Sequence, residues 1–178
     1  FEGGITLIQV KNVTKKYGNF KAVDDISFEV KDGEVVGFLG PNGAGKSTTM
    51  NMITGYIDPT KGEIIINGND ISKKPKKAKR EIGYMPENVP LYLDLTPREF
   101  VRYMAELNLV KHKDLKEETN KLIEEVGLKE VENKLIRNLS RGYKQRVSLA
   151  GALIGNPDVI ILDEPTVGLD PKQITEIR

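Results

Sequence analysis

Gly40-Pro41-Asn42-Gly43-Ala44-Gly45-Lys46-Ser47-Thr48 meets the pattern G-x-x-x-x-G-K-[ST] at every fixed position. The residues before it, Glu34-Val35-Val36-Gly37-Phe38-Leu39, form a short apolar run suited to a buried strand. The residues after it, as far as Ile53, contain no proline and can start a helix. Strand, glycine loop and helix together are the setting of a phosphate-binding loop. Three glycines leave the backbone N–H groups open to an anion. The helix N-terminus adds the positive end of its dipole. Lys46 can reach terminal phosphates, and the Ser47 hydroxyl can bind Mg²⁺. The plainer alternative is an ordinary glycine-rich turn followed by a lysine; the complete pattern and its flanks weigh against it.

The bulk properties set wide bounds. The chain has 178 residues, enough for one domain or a core with one subdomain. Its 27 Lys+Arg against 26 Asp+Glu leave a net charge of +1, which points to no particular partner. Aromatic residues make up 6% with no Trp, which disfavours a stacking platform for single-stranded nucleic acid. The absence of Cys fits a reducing compartment. No apolar run approaches the roughly 18 residues that span a bilayer, so a membrane process would need a second chain. Phe1-Glu2-Gly3-Gly4 opens without Met, and the chain stops at Arg178 just inside a new helix, so the sequence reads as a fragment.

Upstream of the loop, residues 5–10 (ITLIQV) alternate and predict a strand. Residues 12–21 are polar, carry Gly18 and Asn19, and read as a turn region containing Tyr17. Residues 26–30 alternate again, and Asp32-Gly33 is a hairpin signal. Downstream, residues 62–66 predict a strand closed by Asn67-Gly68. Residues 73–80 hold six basic side chains and read as a solvated helix face and turn. A short strand is expected over 82–85, ending at Pro86.

The pattern then turns helical. Thr96-Pro97-Arg98-Glu99 combines an N-cap, Pro at N1 and Glu at N3, followed by an apolar face of Phe100, Val101, Met104 and Leu107. A second helix is expected near 113–126, with Leu115, Leu122, Ile123 and Val126 on one side and Gly127 as its stop. His112 lies between them and reads as an exposed loop residue, since no partner group is near it in sequence. A third helix follows 138–143 and runs to about 155, apolar through Val147, Leu149, Ala150, Leu153 and Ile154. Residues 158–162 (DVIIL) are continuous and apolar, as in a central parallel strand covered on both faces. That strand ends in Asp163-Glu164, and Asp170-Pro171-Lys172-Gln173 caps one more helix.

Two acids at the end of an apolar strand, downstream of a phosphate loop, complete a nucleotide-hydrolysis set. Asp163 can hold Mg²⁺, directly or through water, and Glu164 can polarise an attacking water. The plainer reading is a surface acid pair.

With these motifs placed, the sequence resembles the nucleotide-binding subunit of ATP-binding cassette (ABC) transporters over nearly its whole length. Leu139-Ser140-Arg141-Gly142-Tyr143-Lys144-Gln145-Arg146 resembles the family signature, and Gly168-Leu169-Asp170 matches the D-loop. Tyr84-Met85-Pro86-Glu87 takes the place of the Q-loop, and Tyr17 that of the aromatic stacked on adenine. Residues 86–99 are similar to ABC-2-type exporters. The resemblance implies an α/β fold: a RecA-like P-loop NTPase core with an N-terminal antiparallel β region and an inserted α-helical subdomain. The core would cover 1–86 and 157–178, and the helical subdomain with the signature 87–156.

The resemblance also implies ATP and Mg²⁺ as cofactors and hydrolysis of ATP to drive export. Nucleotide contacts would come from Tyr17, Asn42, Gly43, Ala44, Gly45, Lys46, Ser47 and Thr48, with Ser140, Gly142 and Asp170 serving the shared site. Ser47, Asp163 and Glu87 would serve the metal; Glu164, Lys46 and Glu87 would serve catalysis. Partners would be a second nucleotide-binding subunit, head to tail in a homodimer or heterodimer, and transmembrane permease subunits, with no direct nucleic acid. The chain would sit in the cytoplasm on the inner face of the membrane. The sequence departs from the family at Glu87, where Gln is usual, and at Arg141 and Tyr143 in the signature. The switch histidine would lie beyond Arg178. Two other functions stay open at this stage. One is a soluble ATPase of the same superfamily acting on nucleic acid or the ribosome; the other is a fragment that binds nucleotide but hydrolyses it poorly.

Overall fold

The computed structural model describes residues 4–87 and 90–165. The chain forms two compact units, Phe1–Ile82 and Gly83–Arg178.

The first unit is built on a four-stranded antiparallel sheet in the order β2-β1-β3-β4. Its strands are β1 (Thr6–Tyr17), β2 (Phe20–Lys31), β3 (Lys61–Ile66) and β4 (Asn69–Asp70). The polar stretch 12–21, expected as a turn, is mostly strand: β1 runs on to Tyr17 and only Gly18-Asn19 turn. The reason is local repair of an irregular ladder. Asn12 and Asp25 both take positive φ, and the register slips between Val10 and Val13. Side chains then fill the broken bonds, with Asn12 N–H donating to Ser27 Oγ (2.8 Å) and Asp25 N–H to Thr14 Oγ1 (3.0 Å). Polar residues are required there, which hid the strand. Asn67-Gly68, both at positive φ, closes the β3–β4 hairpin as expected.

Helix α1 (Lys46–Ile53) packs on β2 and β3, burying Met52 and Ile53 with Val10, Val23, Ile64 and Ile66. Of the six basic residues of 73–80, Lys73 and Lys74 precede α2 (Pro75–Arg80) and the other four lie in it; the helix buries only Ala78 and is otherwise exposed.

The expected strand over 34–39 is absent. The segment has no regular structure, and Val35 and Leu39 are 100% and 96% exposed. An apolar run states a demand for burial; it does not supply the neighbouring strand. Among the described residues no ladder pairs with it, and Glu34 N–H at its start donates to Lys31 O at 3.1 Å. Phe38 packs edge-on to Phe28 at 5.3 Å between centroids, and the Glu34 carboxylate accepts from Lys31 N–H at 2.8 Å.

The second unit packs three helices, α3 (Pro97–Leu107), α4 (Leu115–Glu125) and α5 (Arg141–Leu153). Their shared core includes Phe100, Val101, Leu122, Ile123, Leu128, Ile136, Val147 and Ala150. The capping box is present as read: Thr96 Oγ1 accepts from Glu99 N–H, and the Glu99 carboxylate accepts from Thr96 N–H at 2.8 Å. Gly127 takes φ 67° just past α4. Leu107, expected on the buried face, is exposed, and Ala105 is buried in its place. The buried face of α3 follows 97, 100, 101 and 105, which leaves 107 off the stripe.

Strand β5 (Ile82–Met85) spans the residues read from the sequence and pairs with β6 (Val159–Leu162). The expectation of a β6 covered on both faces is not met: Val159 and Ile161 are buried, but Ile160 is 48% exposed. Continuous apolarity does not reveal how many faces are covered. The expected turn with Gly168 and the helix capped at Asp170 lie outside the described residues.

Candidate functional site

The phosphate loop lies within the first unit. Gly45 is the N-cap of α1 at φ 87°. A side chain would be strained in that conformation, and a Cβ there would run into the Ala22 carbonyl oxygen. Gly43 is also left-handed, at φ 84°. Thr49 pins the first turn: its N–H and its hydroxyl both donate to Gly45 O, at 2.8 and 2.9 Å. No side chain caps α1 and no carboxylate stands in its first turn. The positive end of the helix is therefore offered to an external anion.

Lys46 lies across the loop. Its Nζ donates to Gly40 O at 2.7 Å and Pro41 O at 3.0 Å. Ser47 and Asn42 are exposed, and Thr48 is half-buried. Tyr17 ends β1, half exposed, with Lys15 Nζ 5.3 Å from its ring centroid. Its cross-strand partner is Phe20, a more exposed aromatic that the sequence reading passed over. The two-residue link Gly18-Asn19 was the signal, because it makes residues 17 and 20 direct neighbours.

The acidic residues lie in the second unit. Asp163 follows β6 directly, and its N–H donates to Met85 O, the last residue of β5, at 2.9 Å. The ends of the two strands thus share one edge, and Pro86-Glu87 continues from that edge. Burial pushes the Tyr84 hydroxyl above its ordinary pKa, and the Asp163 charge adds to the effect. Glu164 is exposed and takes φ 54°, left-handed for a residue with a side chain. Glu87 is also exposed.

The signature residues open α5. Ser140 is its N-cap, exposed, and accepts from Tyr143 N–H at 3.4 Å. Gly142 is buried in the first turn, and the Arg146 guanidinium lies 5.7 Å from the Tyr143 ring. His112 is exposed. Asp170 lies outside the described residues. The structure thus gathers Gly43 to Thr48 at one helix start and Glu87, Asp163 and Glu164 at one pair of strand ends.

Residues 23–167 match the family model described as ABC transporter. The Escherichia coli (strain K12) protein "Probable multidrug ABC transporter ATP-binding protein YbhF" is 40% identical over 168 residues, covering 94% of this chain. The chain spans 29% of that relative's length. The solved structure of an "ATP binding subunit of ABC transporter" superposes with a TM-score of 0.85 at 34% identity, over 97% of this chain and 72% of that one. A dimeric post-hydrolysis state of the ATP-binding cassette MJ0796, bound to ADP and Pi, superposes at 0.84 and 30% identity, over 96% and 79%. The fold is that of a P-loop NTPase cassette, mixed α/β with antiparallel N-terminal strands. With the match running from β2 through the loop and the signature to the turn after β6, the chain belongs to the ABC transporter family.

Proposed function

We propose that this chain is the ATP-binding and ATP-hydrolysing part of an ABC transporter of the ABC-2 exporter type, coupling ATP-driven dimerisation to export by separate membrane subunits. One observation carries the reading: a family-matched chain presents a glycine loop on a helix start that no side chain caps. The division into a nucleotide core (1–86 with 157–178) and a helical subdomain (87–156) belongs to the same proposal.

The donor set suits Mg²⁺. A serine hydroxyl and an aspartate are hard oxygen ligands, and Mg²⁺ at phosphates uses one or two of these and completes its shell with water and phosphate oxygens. By the family resemblance, Ser47, Asp163 and Glu87 would be the residues that serve it. Bound Mg²⁺ would neutralise charge on the β- and γ-phosphates.

The remaining roles fall to the chain itself. Tyr17 stacks on adenine. The loop from Asn42 through Ala44 to Ser47 holds phosphates with its amides, and Thr48 adds a hydroxyl. Lys46 exchanges two carbonyl acceptors for phosphate oxygens, and charge-assisted bonds of that kind are about twice as strong as neutral ones. Glu164 orients and deprotonates the attacking water. Ser140 and Gly142 serve the nucleotide of a second, head-to-tail subunit, with Asp170 near the same interface. The membrane partners are permease chains, which place this chain on the inner face of the membrane.

The test is Glu164→Gln in the full-length protein. ATP binding persists, turnover falls by roughly a hundredfold or more, and an ATP-bound dimer accumulates. Undiminished turnover overturns the role of Glu164.

A further inference from the structure

The basic run at 73–80 has no part in the roles above. It holds six of the chain's 27 Lys+Arg and no acid, so the remainder sets 21 basic residues against 26 acidic ones, a net of −5. The structure leaves the charge of the run largely uncompensated. Asp70 and Glu63 both pair with Lys73, at 2.8 and 3.2 Å. The Asp58 carboxylate accepts from the Ser72 hydroxyl at 3.2 Å, and the Glu81 carboxylate accepts from Asn67 Nδ2 at 3.4 Å. Among the described residues Lys74, Lys76, Lys77, Lys79 and Arg80 make no ion pair and no side-chain hydrogen bond.

The run is held in place while its charges stay in water. Helix α2 packs on β4 and buries Ala78. Lys74 N–H donates to Asp70 O at 2.8 Å, and Asp70 Oδ1 accepts from the N–H groups of Ser72 and Lys73 at 2.9 and 3.0 Å. Every other residue from 72 to 80 is exposed. The arrangement works against the helix itself. Lys76 stands three and four residues before Lys79 and Arg80, and Lys77 stands three before Arg80; like charges at those spacings destabilise a helix. Lys76 and Lys77 also lie in the first turn, at the positive end of the dipole. A helix that breaks these local rules without a compensating contact marks a place where the charge itself is used.

We propose that residues 73–80 form a docking surface for an anionic lipid bilayer, held at the headgroup level by charge. The inference rests on the placement at the inner face of the membrane proposed above. Three features select lipid among anionic partners. Five of the six cations are lysines, point charges without the fork of donors by which arginine grips a single phosphate or carboxylate. Such charges suit a diffuse sheet of headgroups. No aromatic residue lies between 69 and 81 to stack on a nucleic-acid base. The run exposes no aromatic or long aliphatic side chain to anchor a protein partner. Ala78 is committed inside the unit, so nothing in the run enters the acyl region. Clusters of about four to eight Lys/Arg bind anionic leaflets, each residue near the surface contributing roughly fivefold in partitioning, and the attraction dies away within a Debye length.

Co-sedimentation of the full-length protein with phosphatidylcholine vesicles, with and without phosphatidylglycerol, tests the surface. Binding is expected only with phosphatidylglycerol and falls steeply with added salt. Lys74→Gln/Lys76→Gln/Lys77→Gln is expected to weaken it roughly tenfold or more, whereas Lys74→Arg/Lys76→Arg/Lys77→Arg keeps it. The Gln variant is expected to melt no lower than the parent, because it removes like-charge pairs, so lost binding is not lost folding. Lysine-dependent vesicle binding in a protein that co-purifies with no permease supports this surface and defeats the permease placement. Co-purification with a permease, with no binding of the free protein to phosphatidylglycerol vesicles, keeps that placement and overturns this surface. Equal vesicle binding by the Gln variant also overturns it, as does lysine-dependent binding to duplex DNA that is tighter than binding to the vesicles.

Discussion

Lys46 shows how much chemistry one residue concentrates. Its ammonium already bridges Gly40 O and Pro41 O, so a triphosphate does not have to recruit the cation from solvent. The ordering cost of a long side chain is thereby largely met before binding. Lys46→Ala is expected to lower ATP affinity roughly tenfold or more, the usual worth of a bond to a charged group, while thermal stability changes little because the lost bonds are exposed. Calorimetric titration with ATP checks this, and unchanged affinity defeats the phosphate-loop reading. Glu164 carries a different kind of information. A left-handed residue with a side chain costs about 1 kcal/mol, and here it stands one position after Asp163 at the end of β6. Such strain is common where a side chain must be aimed rather than packed. The positions of Lys46 at the start of α1 and of Glu164 just past β6 were legible in the sequence, because fixed spacing to a glycine loop and to an apolar strand singles them out. Phe20 was not, because its neighbour Tyr17 is set by a turn two residues long inside a stretch that looked irregular.

Among elements, α3 shows how local chemistry and tertiary contacts divide the work. Its start is written in four consecutive residues, Thr96 to Glu99, and the capping box forms as read. Arg98, in the same four, then ties α3 to the segment after α4 through Glu132 at 2.6 Å, and Arg98 N–H also donates to Glu132 O. The Arg98 guanidinium holds the Glu132 carboxyl below its ordinary pKa, against the opposing effect of burial and with help from Lys129. The sign for stability follows. A depressed folded pKa contributes stability above the unfolded carboxylate value of about 4.3, and that contribution is lost as pH falls through the folded pKa. Glu132→Gln is therefore expected to lower the melting temperature at pH 7 and to converge with the parent at acid pH. A gap that persists unchanged to acid pH shows that packing, not charge, is what the substitution removes. Helix ends and β5 were readable because their causes lie within a few residues. The state of 34–39 was not, since a strand exists only through its neighbours, and an apolar sequence does not say whether the neighbour is present. The 12–21 stretch failed for the converse reason. Side-chain bonds from Thr14 and Ser27 let polar residues stand in a strand.

On the scale of the whole molecule, the loop and the signature cannot be partners within one chain if the head-to-tail reading holds, and this makes the assembly testable by complementation. A Lys46→Ala chain keeps a sound signature but lacks its loop cation. A Ser140→Glu chain keeps its loop but sets a carboxylate where a partner's phosphate must dock, at the N-cap of α5. Each homodimer then has two defective sites, and like charge opposes closure in the second. The heterodimer collects both defects in one site and leaves the other intact, with the Ser140→Glu chain giving the loop and the Lys46→Ala chain the signature. With Glu164→Gln added to both so that ATP persists, neither chain alone is expected to dimerise with ATP. An equimolar mixture is expected to yield heterodimers holding one ATP each, by sedimentation velocity and nucleotide counting. Dimers in either single preparation, or none in the mixture, defeat the shared-site arrangement while leaving nucleotide binding at Gly40 to Thr48 as a separate question. The head-to-tail arrangement under test is the one the resemblance implies, and the outcome turns on which chain supplies the cation and which supplies the cap.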